Sequence, residues 1–346
     1  MRQALSAFFF SVLTAGAMLL AAPAPVQAQQ PADDRERLLA AQSATLGVAV
    51  RAVPGAGSAN SLGRRREGSG VLVSLPGAPD GLVLTIGYLV LEAESVELIT
   101  RDQRRLPGQV VAYDFVNGLG LVKPLVPLAG IRPVPLATAA SLSAGDLMLF
   151  VAGGSPQQAG VVRLMDRRAF TGYWEYHLES ALYTSPPLGN HSGAGLFNTR
   201  GELVGVGNLL MADVMPEGDP RQLAGNLFVP VDTLLPVLAE LVRTGAHPQA
   251  KRPWLGVNAM QLGSRVRITR VTAGSPADAA GLRPGHWVAA VDGQPVLSLE
   301  SFYKQVWAHG LGTGDIRLTV REGERERELQ LPARDRSESV ARPQGI

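Results

Sequence analysis

The chain has 346 residues, and its 32 Lys and Arg nearly balance its 30 Asp and Glu, so a net charge of +2 gives no case for a nucleic-acid partner. It has no cysteine, which excludes disulfides and thiolate zinc sites. Hydrophobic residues at 46% and charged residues at 18% are typical of a globular protein. The 39 Gly and 25 Pro favour many short strands joined by turns.

The first 28 residues have the features of a secretory signal peptide. Arg2 precedes an apolar run from Ala4 to Ala22, and Val26 and Ala28 are the small residues that a signal peptidase requires. We therefore predict cleavage after Ala28 and an exported protein. The alternative is an uncleaved anchor, because the run approaches the roughly 20 residues that span a bilayer. Residues 29–44 are expected to be a lead-in, either a short helix or disordered.

Residues 45–248 contain strand-like segments without intervening helices, which favours a barrel or sandwich. Gly68–Val73 and Gly81–Thr85 flank a turn and predict a hairpin. Apolar spacing then predicts one helix over Val231–Thr244, ended by Gly245, and residues 246–252 read as a linker. The other predicted strands are Leu46–Val53, Val96–Thr100, Gln109–Tyr113, Gly120–Lys123, Asp146–Ala152, Val161–Met165, Leu196–Asn198, Leu203–Asn208 and Asn226–Val229.

Residues 253–331 form a separate unit that resembles a bacterial PDZ domain. The matching segments are Leu255-Gly-Val257, Ser275-Pro-Ala-x-x-Ala-Gly-Leu282 and Asp292-Gly293. The resemblance implies that a peptide adds a strand to the sheet and that the amides of Leu255, Gly256 and Val257 receive its terminal carboxylate. Phe302 and Val306 either line the groove or pack in the core, and Gly256 could be a turn glycine only.

The segment Gly189-Asn-His-Ser-Gly-Ala-Gly-Leu-Phe-Asn198 resembles the nucleophile segment of trypsin-like HtrA proteases. Ser192 takes the place of the nucleophile, and Asn190, His191 and Gly193 belong to the loop that shapes the oxyanion hole. Gly68-Ser-Gly70 and the following PDZ unit stand in the order of that family. The resemblance covers residues 45–331.

The partners of the nucleophile are missing from their expected places. The family motif around the histidine aligns with Leu84-Thr-Ile-Gly-Tyr-Leu-Val90, which puts Tyr88 at the histidine. The motif around the aspartate aligns with residues 118–123, which puts Gly118 at the aspartate. A serine hydroxyl needs an adjacent base, and a phenol with a pKa near 10 is a poor one at pH 7. His177 and Lys123 are the residues weighed as substitutes.

We therefore expect a mainly β protein: a trypsin-like double antiparallel β-barrel over residues 45–248, an α+β PDZ domain over 253–331, and a disordered tail over 332–346. The first hypothesis is an exported, periplasmic pseudoprotease that binds protein C-termini or unfolded exported proteins. The alternatives are a serine endopeptidase that uses Ser192 with an unusual base, and an oligomeric scaffold, since relatives are often trimers. No cofactor or metal is expected, and the acidic loop over residues 213–219 is read as solvated.

Overall fold

The computed structural model describes residues 31–76, 78–154, 156–247 and 251–341, with side chains from residue 35 onward. The predicted signal peptide lies outside the described residues. Within them, no helix combines the length and apolar character that a membrane span needs.

The first barrel is a closed antiparallel sheet in the strand order β1-β2-β3-β6-β5-β4. The predicted hairpin is confirmed, since Gly70 pairs with Thr85 and Val73 with Leu82. Helix α1 precedes the barrel, so the lead-in is helical over residues 31–44. The bounds are α1 Pro31–Ala44, β1 Thr45–Ala52, α2 Ala59–Leu62, β2 Arg65–Leu75, β3 Ala78–Ile86, α3 Gly87–Val90, β4 Ala93–Ile99, β5 Arg105–Asp114 and β6 Leu119–Pro124.

The second barrel is also closed, in the order β10-β11-β12-β9-β8-β7. The segment that connects the two barrels is bound to both, because Val134 N–H donates to Leu72 O at 3.0 Å and Pro135 O accepts from Leu203 N–H at 2.9 Å. Strand β9 was not predicted from the sequence. The bounds are β7 Leu147–Ala152, β8 Gln158–Gly172, β9 Tyr176–Ser185, β10 Gly195–Phe197, β11 Leu203–Met211 and β12 Gly225–Pro230, with a 3₁₀ turn at Ala139–Ser141.

The helix predicted over Val231–Thr244 is wrong in extent. Two 3₁₀ turns, Val231–Thr233 and Leu235–Val237, precede a shorter helix, α4 Leu238–Thr244. Pro236 lacks the amide hydrogen that a continuous α-helix needs, which explains the break. Gly245 ends α4 with a left-handed φ of 75°, as predicted.

The PDZ domain is a sheet in the order β14-β15-β16-β18-β19, and β17 pairs with β16. Its core is separate from the core that the barrels share. Ser298 caps α6 in a capping box with Ser301. The bounds are β13 Pro253–Trp254, β14 Val257–Leu262, β15 Arg265–Val271, α5 Pro276–Ala279, β16 Trp287–Val291, β17 Gln294–Pro295, α6 Leu299–His309, β18 Asp315–Glu322 and β19 Arg325–Pro332.

The tail was expected to be disordered, and over residues 333–341 that prediction is wrong. Strand β20 Arg334–Asp335 pairs with β13, and a 3₁₀ turn follows at Arg336–Ser339. The amide of Ala341 donates to Oε1 of Glu92 at 2.9 Å, which ties the tail to the first barrel. Backbone pairing orders a segment whose polar composition favours disorder.

Candidate active site and peptide-binding loop

The loop that carries Ser192 is held against the first barrel by backbone hydrogen bonds. Ser69 N–H donates to Ser192 O at 2.8 Å, and the Thr85 hydroxyl donates to Ser69 O at 2.6 Å. A Cβ on Gly68 would lie 2.6 Å from Ser192 O, and one on Gly193 would lie 2.0 Å from Ser69 O. Gly68 and the glycine after Ser192 are therefore required by the close approach of these two segments.

The loop also presents backbone donors. Asn190 has a left-handed φ of 52°, and within the described residues neither its amide nor that of Ser192 donates a hydrogen bond. The Gly193 amide is used, because it donates to Gly207 O at 2.8 Å. Burial lowers the pKa of the neighbouring His191, which keeps its imidazole neutral at pH 7. Free amides at Asn190 and Ser192 are the groups that could stabilise an oxyanion.

Tyr88, carried by α3 at the end of β3, contacts Ser192 directly. Its hydroxyl oxygen lies 2.7 Å from Ser192 Oγ and 3.0 Å from Asn208 O. A phenol has a single proton, and a carbonyl can only accept, so the two contacts share that proton or Ser192 donates to the phenol oxygen. Burial raises the pKa of Tyr88 to about 12, although the hydrogen bond with Ser192 opposes the rise. The phenol of Tyr88 therefore stays protonated at pH 7.

Gly118 lies next to the segment that carries Tyr88, as Gly87 N–H donates to Gly118 O at 2.7 Å. Its φ is 73°, and a Cβ built on it would lie 3.1 to 3.4 Å from the ring and hydroxyl of Tyr176. Tyr176 is buried, and its hydroxyl donates to Asn117 O at 2.6 Å. The Tyr176 ring therefore fills the space that a side chain at position 118 would need.

Neither residue considered as a substitute base hydrogen-bonds to Ser192. His177 is buried, with Nδ1 2.9 Å from the Thr171 hydroxyl and Nε2 3.3 Å from Glu179. Lys123 is exposed near the end of β6, paired in register with Gln109. Within the described residues, Tyr88 is the one side chain hydrogen-bonded to Ser192 Oγ.

The amides of the predicted PDZ loop converge on one carboxylate, that of Glu175. Leu255 N–H donates to Oε2 at 2.9 Å, and the N–H groups of Gly256 and Val257 donate to Oε1 at 2.7 and 2.9 Å. Glu175 lies in the turn between β8 and β9 of the second barrel, and it is 3% exposed. Burial raises its pKa, while the three amides oppose the rise by stabilising the ionised form.

The helix residues proposed for the groove, Phe302 and Val306, lie in the PDZ core with 0% and 1% of their surface exposed. Tyr303 instead faces the turn, because its hydroxyl lies beside backbone groups of Glu175 and Ala259. That hydroxyl is buried, and it makes no well-aligned hydrogen bond within the described residues.

Charged side chains join the PDZ domain to both barrels. Lys304 Nζ lies 2.8 Å from Glu179 Oε1 on β9 and 2.8 Å from Glu300 Oε1 on α6. Arg252 packs its guanidinium 3.8 Å above the Trp307 ring and donates to Phe115 O at 3.1 Å. His177, Glu179 and Glu300 are close enough together to suit a metal ion, but the Lys304 ammonium already supplies a positive charge there.

Sequence reasoning missed Glu175 and Tyr176. Glu175 directly precedes β9, and Tyr176 begins this strand, whose burial does not alternate. Glu175 contacts Gly256, 81 residues downstream, and Tyr176 contacts Gly118, 58 residues upstream. The one available signal was the aromatic run Tyr173-Trp174 beside a glutamate, and this run does not by itself indicate a ligand-like turn.

The two closed barrels, the Ser192 loop between them and the carboxylate-binding loop define a trypsin-like peptidase fold followed by a PDZ domain. A model of the trypsin-like peptidase domain matches residues 68–206, and a model of the PDZ domain matches residues 267–320. The chain is therefore HtrA/DegP-like in architecture.

Curated proteins match most of this chain. A putative serine protease HhoA of Synechocystis is 28% identical over 77% of this chain and 70% of its own length. A probable periplasmic serine endoprotease, DegP-like, of Hahella chejuensis is 28% identical over 66% of this chain and 49% of its own. The chain thus spans 70% of the first of these relatives and about half of the second.

Solved structures support the fold. The HtrA-type protease AlgW with a decapeptide superposes with a TM-score of 0.51 at 19% identity and covers 86% of this chain and 97% of its own. The serine endoprotease from Yersinia pestis gives a TM-score of 0.51 at 22% identity and covers 88% of this chain and 98% of its own.

Proposed function

We propose that this chain is an exported HtrA-like pseudoprotease that binds peptides or unfolded segments through its PDZ domain. The observation that carries the proposal is the hydrogen bond between Tyr88 and Ser192. It puts a neutral phenol where a serine protease needs a base.

The physical argument concerns one proton. Attack by Ser192 requires its hydroxyl proton to move to a group that accepts it at neutral pH. The phenol oxygen of Tyr88 is a weak acceptor, and its phenolate is scarce because its pKa is about 12. Free amides near Ser192 would still stabilise an oxyanion, but without a base only a residual rate of roughly 10³–10⁴ over water is expected.

The binding role rests on the PDZ loop. Its three amides hold a carboxylate in this chain, which is the chemistry that recognises a protein C-terminus. Periplasmic relatives and the predicted signal peptide support an exported location, and a relative solved with a decapeptide supports peptides as ligands. A chaperone, adaptor or regulatory role follows from binding without cleavage, and a trimer remains part of the proposal.

The test measures labelling of Ser192 by a fluorophosphonate and hydrolysis of casein, using the chain from residue 29. We expect no labelling and no hydrolysis, both in the wild type and in Ser192→Ala. Tyr88→His should raise labelling by roughly 10- to 100-fold, less than the full 10²–10⁴ of general-base catalysis, because no carboxylate orients the imidazole. Tyr88→Phe is the matched control, since it keeps the ring and removes the hydroxyl.

Wild-type labelling that equals that of Tyr88→His and disappears in Ser192→Ala would end the pseudoprotease proposal. It would favour the second candidate, an active serine endopeptidase. That candidate is supported by the names of the relatives and by the two free amides at Asn190 and Ser192.

A further inference from the structure

The turn over residues 172–176, which we name the docked turn, contacts the PDZ domain as a bound peptide would. Its carboxylate, from Glu175, accepts hydrogen bonds from the three loop amides. Its main chain also adds to the sheet, because Tyr173 O accepts from Ala259 N–H at 2.8 Å. Ala259 is two residues beyond Val257 on β14, and alternate residues of a strand direct their amides to the same edge. Strand addition and carboxylate capture are the two contacts that define peptide recognition of this kind.

The conformation of Glu175 indicates that these contacts hold it in place. Its φ of 56° is left-handed, which is unusual for a residue other than glycine and persists where surrounding contacts impose it. Burying a carboxylate is costly unless hydrogen bonds compensate, and here backbone donors supply them. Within the described residues, no cationic side chain lies at salt-bridge distance from Glu175, although the charges of Arg336 and Arg252 act on its carboxylate from farther away.

The loop itself is built for this use. Gly256 has a φ of 82°, and a Cβ on it would lie 2.2 Å from Cβ of Ser275. Only glycine fits this position, so three successive amides can point to one side. The alternative, a turn glycine without a binding role, does not account for the convergence of all three amides on one carboxylate.

We propose that Glu175 is an internal substitute for a peptide's C-terminal carboxylate, so that a peptide can enter the PDZ groove only when the docked turn leaves it. This inference rests on the proposed peptide-binding function and specifies how it is regulated. The PDZ groove is then occupied by a turn of the protein's own second barrel. The apparent affinity for peptide falls in proportion to the fraction of molecules in which the docked turn has left the groove. The ligand class is an extended peptide with a free carboxyl terminus.

The test uses the chain from residue 29 in a Ser192→Ala background, so that cleavage cannot consume the probe. The probe is a fluorescein-labelled pool of decapeptides with mixed final residues and free carboxyl termini, and binding is measured by anisotropy. Glu175→Gln keeps the size of the side chain and removes its charge. We expect it to bind the pool at least about 10-fold more tightly than the parent chain, and an amidated pool should bind to neither.

Two further variants separate competition from a general loss of structure. Glu217→Gln makes the same change in an exposed loop and should leave affinity unchanged. Glu179→Gln removes the charge that attracts Lys304 to the barrel, outside the loop amides, and should raise affinity by a smaller factor because it weakens docking. Hydrogen exchange should show faster exchange at residues 255–257 in Glu175→Gln, with α6 still protected.

The outcomes distinguish the two proposals. If the parent chain and Glu175→Gln bind the pool equally, Glu175 is only a tie between domains and this inference fails while peptide binding stands. If neither binds although exchange at residues 255–257 has increased, the proposed peptide-binding function fails, and the competition fails with it.

Discussion

Glu175 and Tyr176 are consecutive residues, yet they contact two different sites. The Glu175 carboxylate sits in the PDZ loop, 2.7 Å from the amide of Gly256. The Tyr176 ring lies against Gly118, the position aligned with the aspartate of the HtrA family. Tyr176 also stacks on Trp174 at 5.5 Å with an interplanar angle of 10°, which stiffens the turn. One short segment therefore links the PDZ groove to the neighbourhood of Ser192.

The pH profile of Ser192 reactivity should identify the group beside it. Because the pKa of Tyr88 is raised to about 12, its phenol stays neutral from pH 6 to 9, and wild-type labelling should stay at background over that range. In Tyr88→His, labelling should rise as pH passes the imidazole pKa of about 6.5. Rates of fluorophosphonate labelling, measured at intervals of half a pH unit, would test this prediction. Wild-type labelling that rises to a plateau above pH 7 would contradict the assignment of a neutral phenol beside Ser192.

Gly118→Ala should destabilise the barrels more than an ordinary replacement of a left-handed glycine. The new Cβ would meet the buried Tyr176 ring, which is fixed by Trp174 and by Asn117 O and cannot easily move. Gly130→Ala is the matched control, with φ 81° and nothing within 4 Å of the added Cβ. We expect the free energy of unfolding to fall by about 1 kcal/mol in Gly130→Ala and by about 2–3 kcal/mol in Gly118→Ala.

Thermal unfolding followed by circular dichroism would give the change in melting temperature for both variants. Equal changes would mean that the Tyr176 ring moves aside and that position 118 can accept a side chain. Restoring an aspartate there would then be straightforward, whereas a larger shift for Gly118→Ala means that the restored site also needs a smaller residue at 176.

The sequence predicted the fold and the alignment of Tyr88 and Ser192 with the histidine and the nucleophile of the family, because both follow from local motifs with fixed spacing, but it did not predict the hydrogen bond between these two residues. It did not predict the Glu175–Gly256 contact, since that contact joins two domains and has no local pattern. Strand β9 was missed because residues 181–185 are all buried and do not alternate. The order of residues 333–341 was missed because it arises from pairing with β13 rather than from composition.

Gly256→Ala should disrupt the PDZ loop itself. The added Cβ would lie 2.2 Å from Ser275 Cβ, so the loop or the start of α5 must move and the three amides can no longer converge. Gly263→Ala is the matched control, with φ 61° and open space around the added Cβ. We expect the free energy of unfolding of the PDZ domain to fall by about 2–4 kcal/mol in Gly256→Ala and by about 1 kcal/mol in Gly263→Ala.

Because the chain has more than one domain, hydrogen exchange of α6 and β18 is a better measure of PDZ stability than a single melting temperature. Similar exchange in the two variants would show that the loop tolerates a side chain at 256. The carboxylate site would then not depend on that glycine.

Deleting residues 333–346 should lower stability more than deleting residues 342–346 alone. The longer deletion removes the pairing of β20 with β13 and the amide that Ala341 donates to Glu92. Glu92 is 7% exposed, and burial raises its pKa while hydrogen bonds, several of them from backbone amides, bring the pKa below its usual value. Losing one donor leaves a buried carboxylate less satisfied, at a cost of about 1–3 kcal/mol.

The sign of the pH dependence follows from that lowered pKa. A carboxyl whose pKa is depressed in the folded protein contributes stability above its unfolded pKa and loses it as pH falls through the folded value. The gap in melting temperature between the full chain and the longer deletion should therefore be largest near pH 7 and shrink below about pH 4. A gap that stays constant from pH 7 to pH 3 would assign the effect to strand pairing alone.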